Sequence, residues 1–287
     1  MRHESEVICQ IANWGESERD VIALILTSSR ANPHAYVDEL SDYDVEVVIH
    51  DHSSLGLFDD WLNQFGEIIT SFKDENILDK GLKSYTKLVQ FEDGLRIDFQ
   101  IRPITEWLAK NKESLYPPYL DLGYRVLLDK DGFTKDLKPP SYTSYVTKPP
   151  TRDEYMAQIT SFWWDITYVA KSLKRDELYF AKYMLDHVIR YSFLLKMIEW
   201  YIGVRHCWTV NPNKYGRWFK KYIDEETWLE IEHTFAGASI EENWTAMYKT
   251  MWLFRRLAKH VGHELGFEYP DDLDMRVTGY VEKLHNA

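Results

Sequence analysis

The stretch LILTSSRANPHAYVDELSDYDVEVVIH, Leu24 to His50, decides how the rest of the chain is read. An apolar, strand-like run ends in Thr-Ser-Ser-Arg. A dozen residues later a second apolar strand opens with Asp42 and Asp44, separated by one residue. Side chains along a strand alternate faces, so Asp42 and Asp44 point to the same side with Cα atoms about 7 Å apart. Like charges so placed repel, and something must compensate them. Glu46 continues that face, while Tyr43, Val45, Val47 and Ile49 form the apolar one.

Working outward, residues 4–14 read as a short helix and VIALILTSS (21–29) as a buried strand. GEIITSF (66–72) is a further strand candidate. KSYTKLVQF and LRIDFQIRP flank Asp93-Gly94, a strong hairpin turn signal. In the second hairpin strand Leu95, Ile97, Phe99 and Ile101 share one face, and Arg96, Asp98, Gln100 and Arg102 share the other. If the two Asp-bearing strands are neighbours, Asp42, Asp44 and Asp98 converge. Three carboxylates at one point raise each other's pKa, and a divalent cation removes the conflict. Mg²⁺ suits the set, because it prefers oxygen ligands and is held by one or two carboxylates plus substrate phosphates. Asp-x-Asp at a strand start, with a distant third Asp, fits a two-metal phosphoryl- or nucleotidyl-transfer site.

The chain has 287 residues, 45% apolar and 28% charged, as in an ordinary globular protein. Its formal net charge of −12 argues against a surface built for nucleic acid. Cys9 and Cys207 give no disulfide framework. No apolar stretch approaches the roughly 20 residues of a membrane span, and the first 18 residues lack a signal-peptide core. A cytoplasmic location, without membrane or nucleic-acid partners, is the expectation. The 11 Trp and 19 Tyr read chiefly as core, with stacking on a ligand as the functional alternative.

KDLKPPSYTSYVTKPPT, with four prolines and no apolar period, reads as an extended linker. Beyond it the pattern is helical, with Asp224 an N-cap and Gly266 a stop. The expected architecture is α+β. Residues 1–135 would form a mixed β-sheet flanked by helices, 136–152 a Pro-rich linker, and 153–287 an α-helical bundle.

The order of strand, Ser28-Ser29, a gap of twelve residues, then Asp-x-Asp on a strand resembles the nucleotidyltransferase superfamily, whose fold is DNA polymerase β-like. TSSRANP, SDYDVEVVI, QFEDGLRIDF, FWWDITYVAKSLKRDEL, KMIEWYIG and LGFEYP narrow this. They resemble the aminoglycoside 6-adenylyltransferases, the streptomycin-modifying enzymes, over essentially the whole chain. The resemblance implies Mg²⁺-dependent transfer of AMP from ATP to a hydroxyl of an aminoglycoside, releasing pyrophosphate. It implies that Asp42 and Asp44 hold the metal, and that Asp98 completes the site or accepts the hydroxyl proton. Ser28 and Ser29 would bind phosphate oxygens, with Arg30 either adding charge there or forming a structural ion pair. Lys171 and Arg175 are candidates for the triphosphate. Trp164, Asp165, Asp176 and Glu177 are candidates for the drug, the acids pairing with its amino or guanidino groups. Ser28 stands where the superfamily normally has Gly, and Glu46 is an additional acid beside the site. A lincosamide or protein hydroxyl as acceptor, or a nucleotide-binding regulator without catalysis, are the alternative functions.

Overall fold

The computed structural model describes residues 2–78, 81–113 and 118–287. The chain divides into two compact units, residues 1–145 and 146–287. Among the described residues no helix is long and apolar enough to cross a membrane.

The first unit is built on a six-stranded mixed sheet. Its strands are β1 (Val21–Thr27), β2 (Tyr43–Ile49), β3 (Ile68–Ile77), β4 (Lys83–Phe91), β5 (Arg96–Pro103) and β6 (Tyr124–Asp129), in the order β3-β4-β5-β2-β1-β6. β4 and β5 form the hairpin, with Gly94 at φ 87° in its turn. β2 and β5 lie side by side and parallel, whereas every other pairing is antiparallel. β3, at one edge, is exposed along nearly its whole length and carries Lys73, Asp74 and Glu75. Charges there guard against edge-to-edge pairing.

Each face of the sheet is covered. Val45, Val47, Ile97, Phe99 and Ile101 pack with Val7, Ile11 and Trp14 of α1 (Glu4–Ser17), and with Trp61 and Phe65. Trp14 and Trp61 stack at 4.4 Å. The stretch 55–65, whose spacing suggests a helix, forms two short 3₁₀ turns, Leu55–Leu57 and Asp60–Phe65. Buried Lys87 points to this apolar side, where its ammonium meets the Asp59 carboxylate and the Phe58 carbonyl. On the opposite face Ala23, Ile25 and Val48 pack with Trp107 of α2 (Ile104–Glu113) and Leu120 of α3 (Pro118–Asp121). That covering lies towards the Val48 end of β2, and Asp44 stands four residues away along the strand.

The proline-rich stretch does more than extend. Asp121 accepts hydrogen bonds from the Ser141, Thr143 and Ser144 backbone N–H groups and from the Ser141 and Ser144 hydroxyls. Burial opposes its ionisation. The Ser144 and Ser141 hydrogen bonds outweigh that and hold the carboxyl well below the usual carboxylate range. The boundary between the units follows directly, at Tyr145/Val146.

The second unit is helical. α4 (Arg152–Lys174) starts at a capping box in which Thr151 and Glu154 bond each other's backbone N–H. α5 (Leu178–Lys182) runs through a wider π-helical span, Tyr183–Leu194, into α6 (Leu195–Arg205), where the sequence period suggested one uniform helix. α7 (Phe219–Tyr222) and α8 (Glu225–Glu232) follow; Asp224 caps α8 by accepting from Thr227 N–H at 2.8 Å. α9 (Ile240–Leu265) ends at Gly266, whose φ of 70° suits glycine. α10 (Asp271–Asn286), which the sequence reading left out, closes the bundle. Phe162 of α4 stacks on Phe254 of α9 at 3.6 Å in the core.

Candidate active site

Parallel pairing of β2 with β5 puts Asp44 directly opposite Asp98. Residues in register on adjacent strands face the same way, so the two carboxylates share the polar face. Asp42 precedes β2 by one residue. Arg96, two residues before Asp98 on the same face, joins all of this. Its guanidinium donates to both Asp98 carboxylate oxygens, at 2.9 and 3.0 Å, and lies 3.5 Å from Asp42 Oδ2.

For Asp44, Arg96 offsets burial and the neighbouring carboxylates only in part. The Asp44 carboxyl is pushed up to about 6. Burial is the largest cause, followed by the Asp98 carboxylate. The Ser28 hydroxyl opposes the rise, Asp42 adds to it, and Arg96 reduces it. Among the described residues no three His, Cys, Asp or Glu side chains are gathered closely enough to hold a metal ion outright. The donor set nevertheless fits a hard divalent cation. It is all carboxylate oxygen, two of its members are register partners, and one of them resists ionising because of burial and then the Asp98 charge.

The Ser-Ser turn lies against this set. β1 ends at Thr27, the register partner of Asp44, and Ser28–Ala31 then forms a 3₁₀ turn. Gly123, at φ 127°, gives that turn room: a Cβ there would sit 2.5 Å from the Ala31 carbonyl oxygen. Ser28 has φ 58°, in the left-handed region. The Gly of the superfamily pattern thus has a backbone reason here, and this chain meets the same geometry with a serine. Left-handed backbone costs an L-residue about 1–2 kcal/mol. Glycine's greater freedom in the unfolded chain offsets about 0.5–1 kcal/mol of that. Ser28→Gly is therefore expected to unfold in urea within about 1 kcal/mol of the parent, and Ser28→Val to lose about 2 kcal/mol, since branched residues fit this region worst.

Arg30 does not point away from the turn as a phosphate-binding charge would. Its side chain is 7% exposed and bonds to Glu4 and to the Ser41 and Asp38 carbonyls. Glu46 is no flanking surface acid either. It is buried, pairs with Arg102 at 2.9 Å, and lies one alternation further from the strand end than Asp44. Arg96 is the residue the sequence reading missed as part of the site. Its signal was present: an arginine at i−2 of a candidate Asp on one strand is on the same face.

The remaining candidates lie in the second unit. Trp164 (64% exposed), Tyr168, Lys171 and Arg175 follow one another along α4 at intervals of four, three and four residues. The Lys171 ammonium lies 4.8 Å from the Tyr168 ring, and the Trp164 and Tyr168 rings meet edge-on at 6.3 Å. Trp163, by contrast, is core, donating its indole N–H to the Tyr269 hydroxyl at 3.0 Å. Asp165 is half-buried, and burial raises its pKa. Asp176, at φ 57°, and Glu177 form the turn from α4 to α5 and are exposed.

Comparison with known proteins places this arrangement. The streptomycin adenylyltransferase family model matches residues 1–284. An aminoglycoside 6-adenylyltransferase of Bacillus subtilis (strain 168) is 30% identical over 291 aligned positions, covering 99% of both chains. One of Campylobacter jejuni is 29% identical, covering 98% of this chain and 95% of its own. A crystal structure of an aminoglycoside 6-adenyltransferase from Bacillus subtilis matches all of both chains at 26% identity and a TM-score of 0.49. A family match that runs through both units, and through Ser28, Asp42, Asp44 and Asp98 alike, settles the class: this chain belongs to the streptomycin adenylyltransferase family and is a nucleotidyltransferase.

Proposed function

We propose that the protein transfers AMP from ATP to a hydroxyl of an aminoglycoside such as streptomycin, with Mg²⁺ as cofactor and pyrophosphate as the second product. Asp42 and Asp44 would hold the metal, and Asp98 would complete the set or take up the proton of the attacking hydroxyl. Asp42 and Asp44 would place Mg²⁺ where its positive charge would stabilise the charge that develops as AMP is transferred and pyrophosphate leaves. The chain's own contribution is positioning. The turn at Ser28-Ser29 offers hydroxyls and backbone N–H groups to phosphate oxygens. Arg96 holds the Asp98 carboxylate by both oxygens and lies 3.5 Å from Asp42 Oδ2, fixing the two acids relative to each other.

In the second unit we assign Lys171 and Arg175 to the triphosphate. Trp164, Asp165, Asp176 and Glu177 are assigned to the acceptor. An aminoglycoside is a polyhydroxylated polycation, so carboxylates and an exposed indole match its chemistry. The reading is supported by the family of the chain and by the names of its relatives, but one observation carries it. Asp44 stands in register with Asp98, and burial together with the Asp98 charge pushes its carboxyl up, a strain that a bound cation would relieve.

The test is incubation with ATP and Mg²⁺ over a panel of aminoglycosides and lincosamides, following pyrophosphate and the mass of each drug. An AMP-sized gain on streptomycin is expected. Gain on lincosamides alone would overturn the acceptor, and no gain on any drug would overturn the activity.

A further inference from the structure

Between β1 and β2 the chain must deliver Asp42 to a defined place, although residues 32–42 contain neither helix nor strand. Two layers of bonding hold the end of this loop. The first is internal. The Ser41 hydroxyl donates to Asp38 Oδ1 at 2.9 Å and accepts from Asp38 N–H at 3.0 Å, while Leu40 N–H donates to Asp38 Oδ1 at 3.0 Å. These bonds shape the turn without attaching it to the sheet.

Arg30 makes the attachment. Its Nε donates to the Ser41 carbonyl at 3.1 Å, and Nη2 donates to the same carbonyl at 2.7 Å and to the Asp38 carbonyl at 3.1 Å. Nη1 donates to Glu4 Oε2 at 3.1 Å, tying the group to the first turn of α1. The guanidinium carbon lies 4.0 Å from the centre of the Tyr43 ring. Ser41 and Tyr43 are the two neighbours of Asp42. The carbonyl that receives the fork belongs to the peptide bond leading into Asp42, and the ring under the guanidinium belongs to the residue that follows. Arg30 itself starts from the turn that carries Ser28, so one side chain sets the distance between the Ser-Ser turn and the first carboxylate.

We propose that Arg30 is a positioning residue for Asp42, acting through the Ser41 peptide, and not a ligand of the nucleotide. The inference rests on the reading of Asp42 as a metal-holding residue. Its physical content is specific to the fork. Arginine's rigid planar donors serve two carbonyls and a carboxylate at once, whereas lysine offers a point charge that cannot reproduce the set. Loss of the fork releases the Asp38–Asp42 turn and lowers the local affinity for cation, while the sites that touch ATP keep their geometry.

The test uses the full-length Arg30→Lys protein, with Glu4→Gln as a milder variant that removes only the α1 anchor. In Arg30→Lys the Mg²⁺ concentration for half-maximal turnover should rise at least about tenfold and kcat fall about a hundredfold. KM for ATP at saturating Mg²⁺ should stay within about twofold. Glu4→Gln should move the same quantities in the same direction by less. Amide hydrogen exchange at residues 38–42, read without substrate or metal, should quicken by about a hundredfold in Arg30→Lys and not elsewhere in the sheet. This second readout does not depend on turnover. Faster exchange in a protein that adenylylates nothing keeps the clamp and rejects the reaction. Unchanged exchange with a tenfold higher KM for ATP overturns the clamp and makes Arg30 a nucleotide ligand.

Discussion

Asp42→Asn and Asp44→Asn are each expected to lower kcat for adenylyl transfer by about a thousandfold, equivalent to about 4 kcal/mol of transition-state stabilisation. An amide keeps the shape and one oxygen of the carboxylate but loses its charge, and the charge is what a hard divalent cation is held by. Neither side chain lies in an apolar core. Asp42 precedes its strand, and the partners of Asp44 are the Ser28 hydroxyl and neighbouring charges, so both variants should fold. Steady-state kinetics at saturating ATP and Mg²⁺, with circular dichroism to check folding, reads the effect. Asp98→Asn should be the more disruptive for structure, because it leaves Arg96 without its two-point partner.

Asp44→Asn is also expected to make the metal-free protein more stable at neutral pH, the opposite of its effect on turnover. The folded-state pKa of Asp44 is about 6, against an ordinary value of 3.8, so the folded protein favours the protonated carboxyl. A raised pKa contributes stability that is fully present below the unfolded value, near pH 3.8. That stability is lost as pH rises through the folded value, near 6. The rise corresponds to about 3 kcal/mol once both states are ionised. Asparagine mimics the neutral carboxyl and escapes this loss. The variant's advantage in denaturant melts should grow from about 1.5 kcal/mol at pH 5 to about 3 kcal/mol at pH 8. Mg²⁺ should stabilise the parent at pH 8 and leave Asp44→Asn nearly unmoved, because only the parent gains from binding it. A pH-independent difference would mean that burial and the Asp98 charge do not raise the Asp44 pKa.

The parts of this site that the sequence displayed are those governed by a two-residue period. Asp42 and Asp44 on one strand, and Arg96, Asp98 and Gln100 on another, declare their faces without reference to the rest of the fold. The turn at Asp93-Gly94 also announces itself, because few residue pairs accept its backbone. What the period cannot give is which strands are neighbours. β5 lies in a hairpin with β4, and its other edge could have been free. Only the fold places β2 there, parallel and in the register that sets Asp44 beside Asp98.

For a related reason the two readings of Arg30 could not be separated in the sequence, and the partner of Glu46 could not be read there. Both are charges whose partners lie elsewhere in the chain: Ser41, Asp38 and Glu4 for the first, Arg102 for the second. A charge next to a candidate site reads as part of it until those partners are known. In the helical unit, α4 and α9 carry long apolar periods and were plain. α10 carries Leu273, Val277, Val281 and Leu284 at intervals of four, four and three, a stripe packed on the core that the sequence reading passed over behind the three aspartates of its first turn. The π-helical span differs from its neighbours in backbone bonding and not in composition.

In the proposed function Asp42, Asp44 and Asp98 together hold divalent cation. Mn²⁺ soaked into crystals with a non-hydrolysable ATP analogue, and located by its anomalous scattering, tests it most directly. A peak within about 2.0–2.3 Å of oxygens from Asp42 and Asp44, with Asp98 beside it and Arg96 drawn back, is the predicted result. Manganese bound only to the triphosphate, with Arg96 still forked on Asp98, would contradict it.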